Sequence, residues 1–180
     1  MYFSNFPKGN YDIKGDGNKK LVTDLMRRVK VRAKIINEAS LYDTYDVPSG
    51  ERPETTAFKH FGDSELHWVI LLTNDITDAY YGWPLSDQDF ETYVNDKYTI
   101  PGATHHYEIT QSSGPLVGNG PDDYSHKIEV NSDTSGAEAV SNYEYERRLQ
   151  DQKRSIKLLQ PQFLGVFLKE FERLMNKWNV

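Results

Sequence analysis

Five histidines are the residues best suited by type to metal or acid–base chemistry in this chain: His60, His67, the adjacent pair His105 and His106, and His126. Neutral imidazole is a common zinc ligand, and its titration lies close to physiological pH. His105, His106 and His126 fall on two segments expected to form neighbouring strands, so a three-histidine cluster is sterically conceivable. A metal shell needs more than that. No HExxH occurs, and no carboxylate stands at ligand spacing to complete a site. The plainer reading is surface or interface histidines, with no metal and no cofactor expected.

Paired carboxylates are available by number, since Asp and Glu total 27. Asp63, Glu65, Asp75 and Asp78 fall at expected helix ends, where capping and dipole effects account for them, and no cleft is signalled around a glycosidase pair. Neither GxSxG nor a P-loop occurs, and "GDGNKK" lacks the spacing of a phosphate cradle. Catalysis therefore has no positive support, and the chain is read as a non-enzyme. One charge cluster remains, Arg27, Arg28, Lys30, Arg32 and Lys34. It is either a solvated face or a docking patch for an acidic partner.

The elements that would position these residues must come from 180 residues, enough for one domain or for one small domain with extensions. Only 37% of residues are apolar and 27% are charged, with a mean hydropathy of -0.72. Little apolar material is left for a self-contained core. Twelve tyrosines and eight phenylalanines offset this with large contact areas suited to a surface that a partner covers. A net charge of -6 argues against a general nucleic-acid or anionic-membrane binder. There is no cysteine, which fits a reducing interior. No window approaches a membrane span, and the N-terminus does not read as a signal peptide, so a cytosolic phase is expected.

Residues 1–20 read as an arm with a turn at "KGDGNKK". From Thr23 a helix is expected to pass into a strand, with Val29, Val31, Ala33 and Ile35 alternating against Lys30, Arg32 and Lys34. "LYDTYDV" (41–47) reads as a strand. Pro53 opens a helix that Gly62 stops, and Ser64 caps a second helix, apolar from Trp68 to Leu72 and ended by Asn74. After "YYGWP", Ser86 caps a helix with Phe90, Tyr93, Val94 and Tyr98 on one face. Two strands, "HHYEIT" and "SHKIEV", form a hairpin with too few apolar positions to be a core element. "SDTSGA" is a linker, and residues 138–154 are charged and helical. Ile156, Leu158 and Leu159 read as a short strand, and Pro161 opens an amphipathic helix bearing Phe163, Phe167, Phe171, Leu174 and Trp178. The class is α+β. The divisions are 1–20 arm, 21–98 core, 99–140 hairpin insertion and 141–180 C-terminal helical region.

"YDVPSGERPETTAFKHFGDSELHWVILLTNDI" resembles a lysin-motif (LysM) domain, with Tyr45, Val47, Gly50, Ala57, Phe61, Gly62, Trp68, Ile70, Asn74 and Ile76 at corresponding points. A wider resemblance takes in "RPE" at 52–54, "HFGDSELHWVILLTNDITDAYYGWP" through Pro84, and the tail "YEYERRLQDQKRSIKLL". Together these resemble the wedge protein 53 family of T4-like contractile-tailed phage baseplates. The resemblance implies a structural protein of the virion tail, assembled in the host cytoplasm. It implies six copies per baseplate that clamp neighbouring wedges and meet wedge subunits 6, 7 and 25. No nucleic-acid or membrane partner is expected. Ala79 departs from a usual Pro. The second LysM strand is also missing after the second helix, and "SIKLLQP" is expected to supply it from the far end of the chain.

Two roles for the apolar segment follow. Ala57, Phe61, Gly62, Trp68, Ile70, Leu71 and Asn74 are expected as structural core. Tyr80, Tyr81, Trp83 and Pro84 are expected as partner-binding anchors on a rigid turn, alongside Arg27, Arg28, Lys30 and Arg32; the turn folding back on its own core is the competing possibility. The alternative function is a LysM module binding peptidoglycan N-acetylglucosamine, which would need an exposed groove between residues 43–47 and Arg52 to Thr55.

Overall fold

A computed structural model describes residues 2–26, 29–111 and 126–176. Its chain divides into two compact units, one of residues 1–84 with 153–180 and one of residues 85–152. The class is α+β, as expected.

In the first unit, strand β3 (Tyr42–Asp46) pairs antiparallel with β7 (Ser155–Leu159), Tyr42 opposite Leu159 and Asp46 opposite Ser155. This is the long-range pairing expected of "SIKLLQP". Burial alternates along β7 at Ile156 and Leu158, as a strand with one covered face requires. Helix α2 (Pro53–Phe61) begins with Pro at its first position and ends on Gly62 at φ 78°, a left-handed conformation that glycine adopts without a Cβ penalty. A 3-10 turn (Ser64–Leu66), capped by Asp63 rather than Ser64, leads into α3 (His67–Thr73). Ala57, Ile70, Val47, Trp83, Ile156 and Leu158 form one buried cluster. Trp68, Val69, Tyr42, Leu159, Phe6, Phe171 and Met175 form another, roofed by the amphipathic α6 (Pro161–Asn176). Phe61 and Leu71 are half-buried against these clusters. Trp178 lies outside the described residues.

The N-terminal segment departs from the expected arm and from the helix passing into a strand. Tyr2–Asn5 form a 3-10 turn, and Phe6 is buried in the core. The polar turn joins β1 (Lys8–Tyr11) to β2 (Lys20–Thr23) as a hairpin. No strand forms over 29–35; α1 (Ala33–Ile36) is a single turn. Alternation alone does not make a strand when no partner offers its backbone, and Val29 instead packs on the apolar cluster.

In the second unit, α4 (Asp87–Lys97) starts at Ser86, whose side chain accepts from Asp89 N, and buries Phe90 and Val94. Strand β4 (Thr104–Gln111) is central between β5 (His126–Val130) and β6 (Glu138–Ser141). The charged pattern over 138–154 led to the expectation of a helix throughout, β6 included. β6 is instead the third strand, and the helix α5 (Asn142–Arg154) begins immediately after it. Val140 is buried, and β6 pairs with β4 across a register shift between Thr104 and His106.

Candidate interaction surface

The aromatic turn after α3 splits its side chains between core and solvent. The Asp78 carboxylate accepts from Tyr80 N and Tyr81 N, at 2.9 and 3.2 Å, an Asx turn that fixes the backbone. Gly82 N donates to Asp78 O at 2.8 Å, and Lys153 Nζ donates to Tyr81 O at 2.9 Å. Trp83 points inward. It is 5% exposed, and its Nε1–H donates to Glu51 O at 2.7 Å. Pro84 is also buried. Trp83 and Pro84 were expected as exposed anchors; both are buried instead, and the large apolar area of Trp83 fills the space beside Ala57, Ile70 and Ile156. Tyr80 and Tyr81 remain outside, 70% and 59% exposed, edge to face with ring centroids 4.9 Å apart.

Of the expected basic patch, Arg27 and Arg28 lie outside the described residues. Lys30 is exposed and paired with Asp75 at 2.6 Å, an ion pair of small energetic weight at that exposure. Arg32 is exposed. Trp68 is packed against Phe171, Phe167 and Tyr2.

The sequence pattern of the base plate wedge protein 53 family matches residues 1–113, which takes in the aromatic turn and most of the first unit. The chain belongs to that family. It is 27% identical over 169 residues to baseplate wedge protein gp53 of Enterobacteria phage T4, spanning 87% of this chain and 85% of that protein. As a wedge protein 53 family member the chain is a structural protein of a phage tail baseplate.

The histidines of this wedge protein are held apart or used structurally. His105 and His106 share an Nδ1 to Nδ1 hydrogen bond at 2.9 Å, and His105 stacks on Tyr145 at 3.9 Å. His126 pairs with Gln111 at the opposite end of β4, so the three do not meet. His60 Nε2 donates to Leu159 O at 2.9 Å.

Glu51 and Glu108 went unnoticed in the sequence. Glu51 receives Tyr45 OH, Thr56 OH and Lys59 Nζ at 2.6 to 3.1 Å. Burial opposes its ionisation, but these donors outweigh burial and hold its carboxyl below the usual value. Glu108, in β4, takes two hydrogen bonds from Arg148, at 2.7 and 3.0 Å, and another from Lys127. The Arg148 guanidinium is the main cause of its fall to a pKa of about 2; burial opposes the fall and Lys127 assists it. No motif marks either residue. A lone acidic residue in an alternating strand was the only available sign of Glu108.

Proposed function

We propose that this chain clamps neighbouring wedges of the baseplate and joins other wedge subunits during assembly. Its partners are those resembling wedge subunits 6, 7 and 25, and six copies serve one baseplate in a virion tail built in the host cytoplasm. The observation that carries the reading is the turn at 78–83. Two tyrosines stand side by side in solvent on a backbone held by Asp78, Gly82, Lys153 and the buried Trp83. Preorganised aromatic anchors lose little entropy on docking and are frequent hot spots of protein interfaces. The low apolar fraction also supports a chain that completes its burial on partners.

A glycan-binding reading has less support. The indole of Trp68 is 6% exposed, which leaves it no face for stacking on a sugar ring.

Sedimentation velocity of the purified chain, alone and mixed with the other wedge subunits of the same genome, tests the proposal. A stoichiometric complex that Tyr80→Ala with Tyr81→Ala weakens supports it. Absence of a complex with every subunit overturns it.

A further inference from the structure

The charge of this acidic chain is strongly divided along its length. Residues 1–34 carry six lysines and three arginines against three aspartates, a net +6. Residues 85–152 carry thirteen acidic residues against four basic ones, a net -9. Among the described residues, Lys8, Lys14, Lys19, Lys20, Lys30 and Arg32 are exposed on one side of this division, and Asp96, Glu129, Asp133 and Glu138 are among those exposed on the other.

The basic segment is also where apolar side chains are left uncovered. Its base is anchored, with Phe6 buried and Asp24 N donating to Pro7 O at 2.9 Å. Beyond that base the β1 and β2 hairpin leaves Tyr11, Ile13 and Leu21 more than 60% exposed, and Leu25 and Met26 follow at 61% and 93%. A two-stranded hairpin is marginal in water without a third layer, and an apolar surface of this kind rimmed by lysines is built to be covered. The acidic unit offers apolar counterparts in Ile100, 65% exposed, and Ile128, 37% exposed.

We infer that the basic hairpin of one copy docks on the acidic surface of a second copy of this chain that carries Asp96, Glu129, Asp133 and Glu138. The contact joins two different surfaces, so each copy can give one hairpin and receive another, linking copies in series. Opposite charge steers the approach, and the exposed aromatic and aliphatic side chains are buried on arrival. This deepens the clamp reading, and rests on it in supposing that copies are brought side by side.

The test is sedimentation velocity of the full chain alone, across a concentration series, at about 50 mM and about 500 mM salt, where the screening length falls from over 10 Å to under 5 Å. Self-association at low salt, weakened about tenfold or more at high salt, is expected. The charge reversals Lys8→Glu, Lys19→Glu and Lys20→Glu should leave a monomer. So should Asp96→Lys, Glu129→Lys and Asp133→Lys in a separate protein. Mixing the two reversed proteins should restore a complex, which misfolding of either would not produce. A wild-type chain that stays monomeric at low salt overturns the inference, as does association indifferent to both sets of reversals. A monomer that nonetheless binds the wedge subunits overturns this inference and leaves the clamp reading standing.

Discussion

Asn74 and Lys157, 83 positions apart, bind each other at two points: Asn74 Nδ2 donates to Lys157 O at 2.8 Å, and Asn74 Oδ1 accepts from Lys157 N at 2.9 Å. The bonds Gln160 N to Leu41 O and Val47 N to Arg154 O bracket the β3 and β7 ladder. By antiparallel alternation, Lys157 and Leu159 turn their backbone groups away from β3. A primary amide thus does for this free edge what another strand's peptide would do, and His60 takes the Leu159 carbonyl beside it.

Asn74→Ala therefore strips both bonds from the edge and should cost about 2 kcal/mol. Asn74→Asp keeps the acceptor but sets a carboxylate against the Lys157 carbonyl, and should cost as much or more. Urea denaturation followed by tryptophan fluorescence measures both. An unchanged midpoint in either variant would refute the edge role.

Trp83 and Tyr81 stand two residues apart, yet their substitutions should separate stability from binding. Trp83→Ala opens a cavity beside Ile70 and Ile156 and should cost about 3 to 5 kcal/mol. Trp83→Phe leaves the Glu51 carbonyl without its donor, for about 1 to 3 kcal/mol. Tyr81→Ala should move stability by less than about 0.5 kcal/mol while weakening the complex with wedge subunits. Paired thermal melts and sedimentation runs make the comparison, and equal losses of stability at the two positions would contradict it.

Gly82 is required by space. A Cβ there would lie 2.5 Å from the Asp78 carbonyl oxygen and 2.8 Å from Ile76 Cγ2, and the backbone atom has little freedom to yield. Gly82→Ala should cost about 1 to 3 kcal/mol and also displace the tyrosine pair. Loss of partner binding approaching that of Tyr80→Ala with Tyr81→Ala is the expected readout; a wild-type melt would rule the constraint out.

Glu108 ties the stability of residues 85–152 to acid. Its carboxyl titrates at about 2 in the folded chain, against an ordinary 4.5. A depressed folded value means the contribution is complete above about pH 4.5 and is lost as pH falls towards 2. Over that range stability should fall by up to about 3 kcal/mol, less whatever solvent screening at Arg148 removes. Glu108→Gln should flatten this acid limb in a pH series of urea melts. A variant with the same limb as wild type would place the acid sensitivity elsewhere.

Local rules carried far in this chain because each acts within one turn. Pro53 and Gly62 mark the two ends of α2, Ser86 starts α4, and the spacing of Phe167, Phe171 and Leu174 shapes α6. The same rules misled at Val29 to Ile35, where the alternation was real but no neighbouring strand existed to pair with it. They missed β6, whose residues read as the start of a charged helix until β4 supplied its hydrogen bonds.

The residue pattern by itself determined the α+β class, the helix ends, the burial of Trp68 and Ile70, and the likeness to the wedge family. All of these depend on periodicity, capping and residue type, which are written in consecutive positions. Only the tertiary structure decided that Trp83 turns inward while Tyr80 and Tyr81 stay in solvent. It alone put Asn74 and His60 to closing the edge of β7, and surrounded Glu108 with cations from β5 and α5. Those outcomes depend on which distant backbone groups and cavities arrive beside a side chain, a matter of three-dimensional satisfaction that no local spacing encodes.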